Sequence, residues 1–303
     1  MKKLFFALQF PLFIAFNFFL LTAFFEFASS RSTSDKTSPK YDGKEEYDPS
    51  LGRLNSVNKL QDYCDSLFAT QHQDNQLAVT GKTYPEIVAA VIRKRFYHGY
   101  SRFGVSNNLL AVLLSPLTGK NASAIVLPNE ILKYPYAACS QQSIVTLELL
   151  KNKGIAARAI RFTGVKNGHF AYEAYYNGDW HFFDPNLEPD VTVLNKYNRP
   201  GIAFLAANKA ILLGAYHHLP QNMVLDIFTH YNYGKVNATA APMATFFQQA
   251  TKILSYTLWI FFLMTFIAVR KKYRRLSNTH VRNSRVFIPQ LQPGTSPTYY
   301  LGY

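Results

Sequence analysis

From Leu4 to Phe25 the chain carries no charged residue (LFFALQFPLFIAFNFFLLTAFF), and a second charge-free run covers 253–269 (ILSYTLWIFFLMTFIAV). Neither run can be left in water. About 20 apolar residues in a helix are enough to cross the hydrocarbon core of a bilayer. A helix that serves a globular core shows one apolar stripe, whereas these runs are apolar all round. The first run is longer than the apolar core of a typical secretory signal. It is therefore expected to be an uncleaved signal-anchor within residues 1–28, with a cleaved signal peptide as the alternative, because Phe27-Ala28-Ser29-Ser30 offers small residues to a peptidase. The second, placed at 247–269, is stopped by Arg270-Lys271-Lys272-Tyr273-Arg274-Arg275 and reads as a transmembrane stop-transfer helix. Basic residues flank both runs on their outer sides, so the positive-inside rule expects both termini in the cytoplasm and the intervening domain on the periplasmic or outer face.

This placement also explains the net charge. The formal charge of +14 suggests a nucleic-acid-binding protein until it is located. Lys2 and Lys3 supply two of the fourteen and the segment from Arg270 onwards seven, which leaves an ordinary five for everything between. No nucleic-acid motif accompanies it, and no such partner is expected. Residues 29–50 are polar and rich in Ser, Lys and Asp, the composition of a flexible linker. The extracytoplasmic domain is assigned to 51–240, with its core at 130–190, and the basic cytoplasmic tail to 270–303. Within the domain a helix is expected to start at Pro85, with Thr83 as its cap.

The chemistry-bearing residues lie between Pro135 and Asn186. The stretch CSQQSIVTLELLKNK, followed by Gly154, has helical spacing and an end suited to a left-handed cap, so Cys139 falls at or near a helix N-terminus. The positive end of the helix dipole stabilises a thiolate there. Ile155–Phe162 reads as a strand. Two further β-rich runs, His169–Tyr176 and Trp180–Asp184, flank Asn177-Gly178, the strongest short signal for a hairpin. A two-residue turn pairs Tyr176 with Asp179. It thereby sets Asp184 opposite Ala171 and brings His169 and Asp184 to one face as diagonal neighbours, whereas a one-residue slip would part them. A Cys at a helix start, a His to exchange its proton and an Asp to orient that His are the parts of a thiol nucleophile. The Cys139 N–H is one donor for an oxyanion, and Asn129, Tyr134 and Tyr136 are candidates for the second by proximity alone.

Cys139, the block Leu149-Leu150 through Gly154-Ile155 to Arg158, then Gly168-His169 with Glu173, then Trp180 with Asp184-Pro185, resemble the transglutaminase-like superfamily, which shares the papain-type thiol fold. Where that family often has Gly two residues before the Cys, this chain has Ala137. The resemblance covers about fifty residues. It implies an α+β fold in which a helix bearing Cys139 packs on an antiparallel sheet bearing His169 and Asp184, here flanked by two transmembrane helices. It implies Cys139 as nucleophile, His169 as base and acid, Asp184 as the orienting residue, and an amide, peptide or protein substrate. The family contains transferases, cysteine peptidases, amidases and inactive members. The expected function is thus hydrolysis or acyl transfer through a Cys thioester, with no cofactor and no metal. The rival expectation is an inactive module that binds peptide or glycan at the cell envelope, beside a polysaccharide assembly system.

Other residues have plainer readings. Cys64 is a possible disulfide partner for Cys139 in an exported chain. Asn186 is a substitute partner for His169. Arg158 is an exposed strand residue or half of an ion pair. Tyr175 and Trp180 are core or cleft-wall aromatics. His217-His218 lacks a third ligand at a useful spacing for a metal.

Overall fold

An Asn-Gly pair between two apolar strands leaves the chain little choice of turn. In the computed structural model, which describes residues 2–29, 39–73, 82–118 and 122–285, Asn177 (φ 51°) and Gly178 (φ 86°) both adopt left-handed backbone. That geometry fits the right-handed twist of the flanking strands. Tyr176 pairs with Asp179, Tyr175 with Trp180, Ala174 with His181, Glu173 with Phe182 and Tyr172 with Phe183. This is the register that the two-residue turn predicts.

The elements in chain order are α1 (Lys2–Ser29), α2 (Val57–Gln73), α3 (Tyr84–Arg95), β1 (Tyr97–His98), α4 (Leu109–Leu114), α5 (Pro128–Ile131), β2 (Tyr136–Ala137), α6 (Cys139–Asn152), β3 (Ala157–Thr163), β4 (Gly168–Tyr176), β5 (Asp179–Phe183), α7 (Val191–Lys196), α8 (Ile202–Ala207), α9 (Lys209–Ala215), α10 (Gln221–Ile227), β6 (Tyr231–Tyr233) and α11 (Pro242–Arg285). Short 3-10 helices cover Pro49–Arg53 and Ser115–Thr118. The fold is mixed α+β. Its main sheet is antiparallel in the order β5-β4-β3-β6, and β1 and β2 form a separate parallel pair.

The chain divides into two compact units, Met1–Phe24 with Ser255–Tyr303 and Phe25–Leu254. In the larger unit the sheet is covered on both faces. Ala157, Tyr172, Ala174 and Phe183 pack with Val145, Leu149 and Leu150 of α6 and with residues of α2 and α3. Ile160, Phe162, Ala171 and Phe182 point the other way, into a second core built from α7–α10. Strands covered on both faces bury successive side chains, as β4 does from Ala171 to Ala174. The α6 helix starts at Cys139, and Gly154 (φ 74°) follows its end in the left-handed conformation the sequence suggests. The α3 helix is capped by Thr83, whose N–H donates to Glu86 Oε2 at 2.8 Å.

Of the stretch read as linker, residues 30–38 lie outside the described residues. Residues 39–50 are packed: Tyr41 and Tyr47 meet the Tyr97 ring, Tyr97 donates to the Pro39 carbonyl, and the His98 N–H donates to Glu45 Oε2 at 2.7 Å. Composition hid this, because two tyrosines suffice to fasten a polar segment.

In the smaller unit, α1 and α11 run antiparallel, with Phe6 against Tyr273, Phe13 against Phe266, Phe16 against Trp259 and Phe19 stacked on Phe262. Both helices are long and apolar enough to cross a membrane. Their pairing puts Lys2-Lys3 and the 270–275 basic cluster at the same end. Helix α11 continues through that cluster to Arg285, since Lys and Arg are good helix formers. Residues 286–303 of the tail lie outside the described residues.

Gly178→Val tests the turn. Holding a β-branched residue in left-handed backbone costs about 1–2 kcal/mol. The variant is expected to unfold several degrees below the parent in a thermal melt, whereas Asp179→Ala beside it is expected to change little.

Candidate functional site

The candidate site forms where the first residue of α6 meets the start of β4. His169 and Asp184 share the sheet face that the register assigns them, and His169 Nε2 lies 2.8 Å from Asp184 Oδ2. Asp184 follows the last residue of β5, and Pro185 after it ends the strand. Cys139, the first residue of α6, lies near enough to the His169 ring to help raise it above its ordinary value. His169 is 3% exposed and Asp184 4%, while Cys139 is half-buried and reachable from solvent. Its N-cap residue, Ala138, has no side chain that could occupy the first N–H groups of α6. The structure therefore brings together all three residues singled out in the sequence.

Burial by itself disfavours the charged imidazole. The Asp184 carboxylate, by charge and by hydrogen bond, and the Cys139 sulfur after it outweigh burial and hold His169 above its ordinary value. Burial likewise pushes Asp184 up, but the His169 ring, the Leu187 N–H and the Tyr216 hydroxyl reverse this and hold the carboxyl below its usual range. Each member of the pair thus holds the other toward its charged form.

Two supporting residues carry no local sequence signal. The Tyr216 hydroxyl, fully buried after α9, donates to Asp184 Oδ2 at 2.8 Å, and the Leu187 N–H donates to Asp184 Oδ1 at 3.1 Å. Asp226 on α10 accepts from the N–H groups of Val165 (2.8 Å), Lys166 (3.1 Å) and Asn167 (3.0 Å) and from the Asn167 amide (3.0 Å). It thereby fixes the loop that leads into His169. Gly164 opens that loop so close to α10 that a Cβ there would stand 2.6 Å from the carbonyl oxygens of Asn167 and Asp226. Phe162 completes the setting by stacking on the His169 ring.

At the start of α6, Gln141 uses its whole amide. Its Oε1 accepts from the N–H groups of Ser101 and Ala138, and its Nε2 donates to the carbonyls of Ser101 and Ile125. This buried side chain locks the residue before Cys139 to two neighbouring segments.

The other sequence candidates lie elsewhere. Asn129 accepts from the Val57 N–H and caps α2, and the Tyr134 hydroxyl bonds Asn107 and the Arg102 carbonyl. Tyr136 is a core residue against Tyr97 and Tyr134. None of the three is placed as an oxyanion donor by these contacts. Asn186 donates to His98 Nδ1 at 3.1 Å rather than to His169. Tyr175 and Trp180 meet edge-to-face at the turn end of the hairpin, away from His169, so they are not walls of this cleft. Arg158 is the ion-pair partner: it binds buried Glu173 through two nitrogens at 2.7 and 2.8 Å, with its guanidinium between the Trp180 and Tyr233 rings. Cys64 and Cys139 are both free, and Cys64 is wholly buried, which pushes its thiol up to about 12. His217 and His218 bond the Gly214 and Leu187 carbonyls, and no cluster of three metal-ligating side chains occurs among the described residues.

No protein-family model, curated protein or solved structure matches the chain.

Two predictions follow from the Asp184 carboxylate. Tyr216→Phe removes a buried hydrogen bond to a charged group and is expected to cost about 1.5–3 kcal/mol in denaturant unfolding. The pH dependence is set by the signs of the two shifts. The contribution from His169, whose folded value is raised, is fully present below the ordinary imidazole value of 6.5 and is lost as pH rises through the folded value. That from Asp184, whose folded value is lowered, is present above the ordinary 3.8 and is lost as pH falls through the folded value. Asp184→Asn is therefore expected to abolish the loss of stability above pH 6.5 that the parent shows in unfolding curves.

Proposed function

We propose that this chain is a membrane-tethered thiol enzyme of the transglutaminase-like kind, acting on amide bonds by hydrolysis or acyl transfer. The observation that carries this reading is the 2.8 Å contact of His169 Nε2 with Asp184 Oδ2, on a ring near the start of α6, where Cys139 stands. A helix bearing the Cys, packed on an antiparallel sheet bearing the His and Asp, is the arrangement the superfamily resemblance implies.

In the proposed reaction the Cys139 thiolate attacks the amide carbonyl carbon and forms a carbon–sulfur bond. The oxygen takes up the displaced electron pair and is met by the Cys139 N–H at the helix start. The carbon–nitrogen bond then breaks as His169 gives its proton to the leaving amine, and a thioester remains. Water or a second amine attacks the thioester, His169 takes its proton, and the carbon–sulfur bond breaks to restore thiolate and imidazolium. Asp184 holds the ring in place throughout, and Tyr216 holds Asp184. Helices α1 and α11 are the membrane tethers, with both termini cytoplasmic and the site on the outer side. The common location of Lys2-Lys3 and the 270–275 cluster supports this orientation.

The test is the iodoacetamide alkylation rate of Cys139 across pH 5–9, in the full chain in detergent with Cys64→Ser. The full chain is needed because the buried side chains of Glu26, Gln248 and Thr251 belong to the larger unit. Alkylation is expected to be at least about tenfold faster at pH 6 than for an ordinary exposed thiol. The gain should vanish in His169→Ala. A slow reaction that His169→Ala leaves unchanged would end the enzyme reading and leave the non-catalytic binding module in its place.

A further inference from the structure

Besides the two long apolar helices, the larger unit has a third apolar segment. No charged residue lies between Arg102 and Lys120. Within this stretch α4 and the 3-10 helix Ser115–Thr118 expose Leu113 (56%), Leu114 (37%) and Leu117 (81%) to solvent. Three exposed leucines on ten residues, with Pro116 also exposed, form an apolar face with no cover in the described residues.

The way α4 is fastened indicates what covers it. The Leu109 N–H, at the start of α4, donates at 2.7 Å to Glu26 Oε1 near the end of α1. Asn108, which caps α4, donates to the Gln248 carbonyl and to Thr251 Oγ1 on α11. Gln248 in turn gives its whole amide to the segment after α4, accepting from the Val126 N–H and donating to the Ala122 and Ala124 carbonyls. Two of the three anchoring residues stand beside the charge-free runs, Glu26 directly after Phe25 and Thr251 two residues before Ile253, and Gln248 lies one helical turn before Thr251. Helix α4 is thus bonded to residues that flank both runs in the chain.

We infer that Leu109–Thr118 rests in the boundary layer of the bilayer and gives the domain a third contact with lipid. This rests on the reading of α1 and α11 as membrane tethers. Apolar side chains at headgroup depth are what an interfacial helix presents.

The test uses the full chain with Cys64→Ser and Cys139→Ser, reconstituted in phosphatidylcholine–phosphatidylglycerol vesicles. An environment-sensitive NBD label is placed singly at Leu117→Cys, at Ile260→Cys in the apolar part of α11, and at Val165→Cys, an 89% exposed loop position. Quenching by doxyl-labelled lipid is compared with quenching by aqueous iodide. The expected result is lipid quenching at 117 and 260 and iodide quenching at 165. If 260 is quenched by lipid but 117 only by iodide, the third contact is overturned while the tethers stand. If 260 is also quenched only by iodide, the tether reading falls and this inference falls with it.

Discussion

A carboxylate buried as deeply as that of Asp184 persists as an anion only if hydrogen-bond donors surround it. Three elements supply them: the His169 ring from β4, the Leu187 N–H from the loop after β5, and the Tyr216 hydroxyl from the turn after α9. Each donor must stay where it is, or the other two are left facing a poorly solvated charge. The sheet, the helices of the second core and the candidate site are thus tied through one side chain. The same side chain fixes the direction of the imidazole, so stability and chemistry rest on a single contact set.

The hairpin was legible in the sequence down to the pairing of individual residues. Asn177-Gly178 dictates a two-residue turn, and side-chain alternation with period two does the rest. The α6 helix was legible for a similar reason: its first residue, its apolar spacing and Gly154 are all local signals. Tyr216, Asp226 and Gln141 were not. Each acts on a segment far from it in the chain, and a buried tyrosine after a short helix looks like any other core aromatic. Asn129 and Tyr134 bond to Val57, Asn107 and Arg102, and closeness in sequence to Cys139 says nothing about where polar atoms are used. Residues 39–50 misled because composition averages over the two tyrosines that pin them.

The two cysteines divide by environment. Cys64 is sealed in the core beside α3 and α6, and burial keeps its thiol neutral far above physiological pH. Cys139 stands at a helix start beside an imidazole. Arg158 and Glu173 divide charge in the same manner: the buried Glu173 also accepts from the Ile202 N–H, and the half-exposed Arg158 is flanked by rings that shed water from it. In both pairs the interior member is satisfied or neutral, and the outer member keeps its reach.

Gly164 has a consequence for how this protein can vary in evolution. The residue has no left-handed backbone to explain it, and it is glycine because the Asn167 and Asp226 carbonyl oxygens leave no room for a methyl group. The Asp226 side chain meanwhile gathers the four donors of the following loop. The loop and α10 are fitted to each other at both the backbone and the side-chain level. Drift at position 164 is therefore permitted only when position 226 and its helix move aside, and lineages that keep this loop should inherit Gly164 and Asp226 together, as a pair invisible to any motif centred on Cys139.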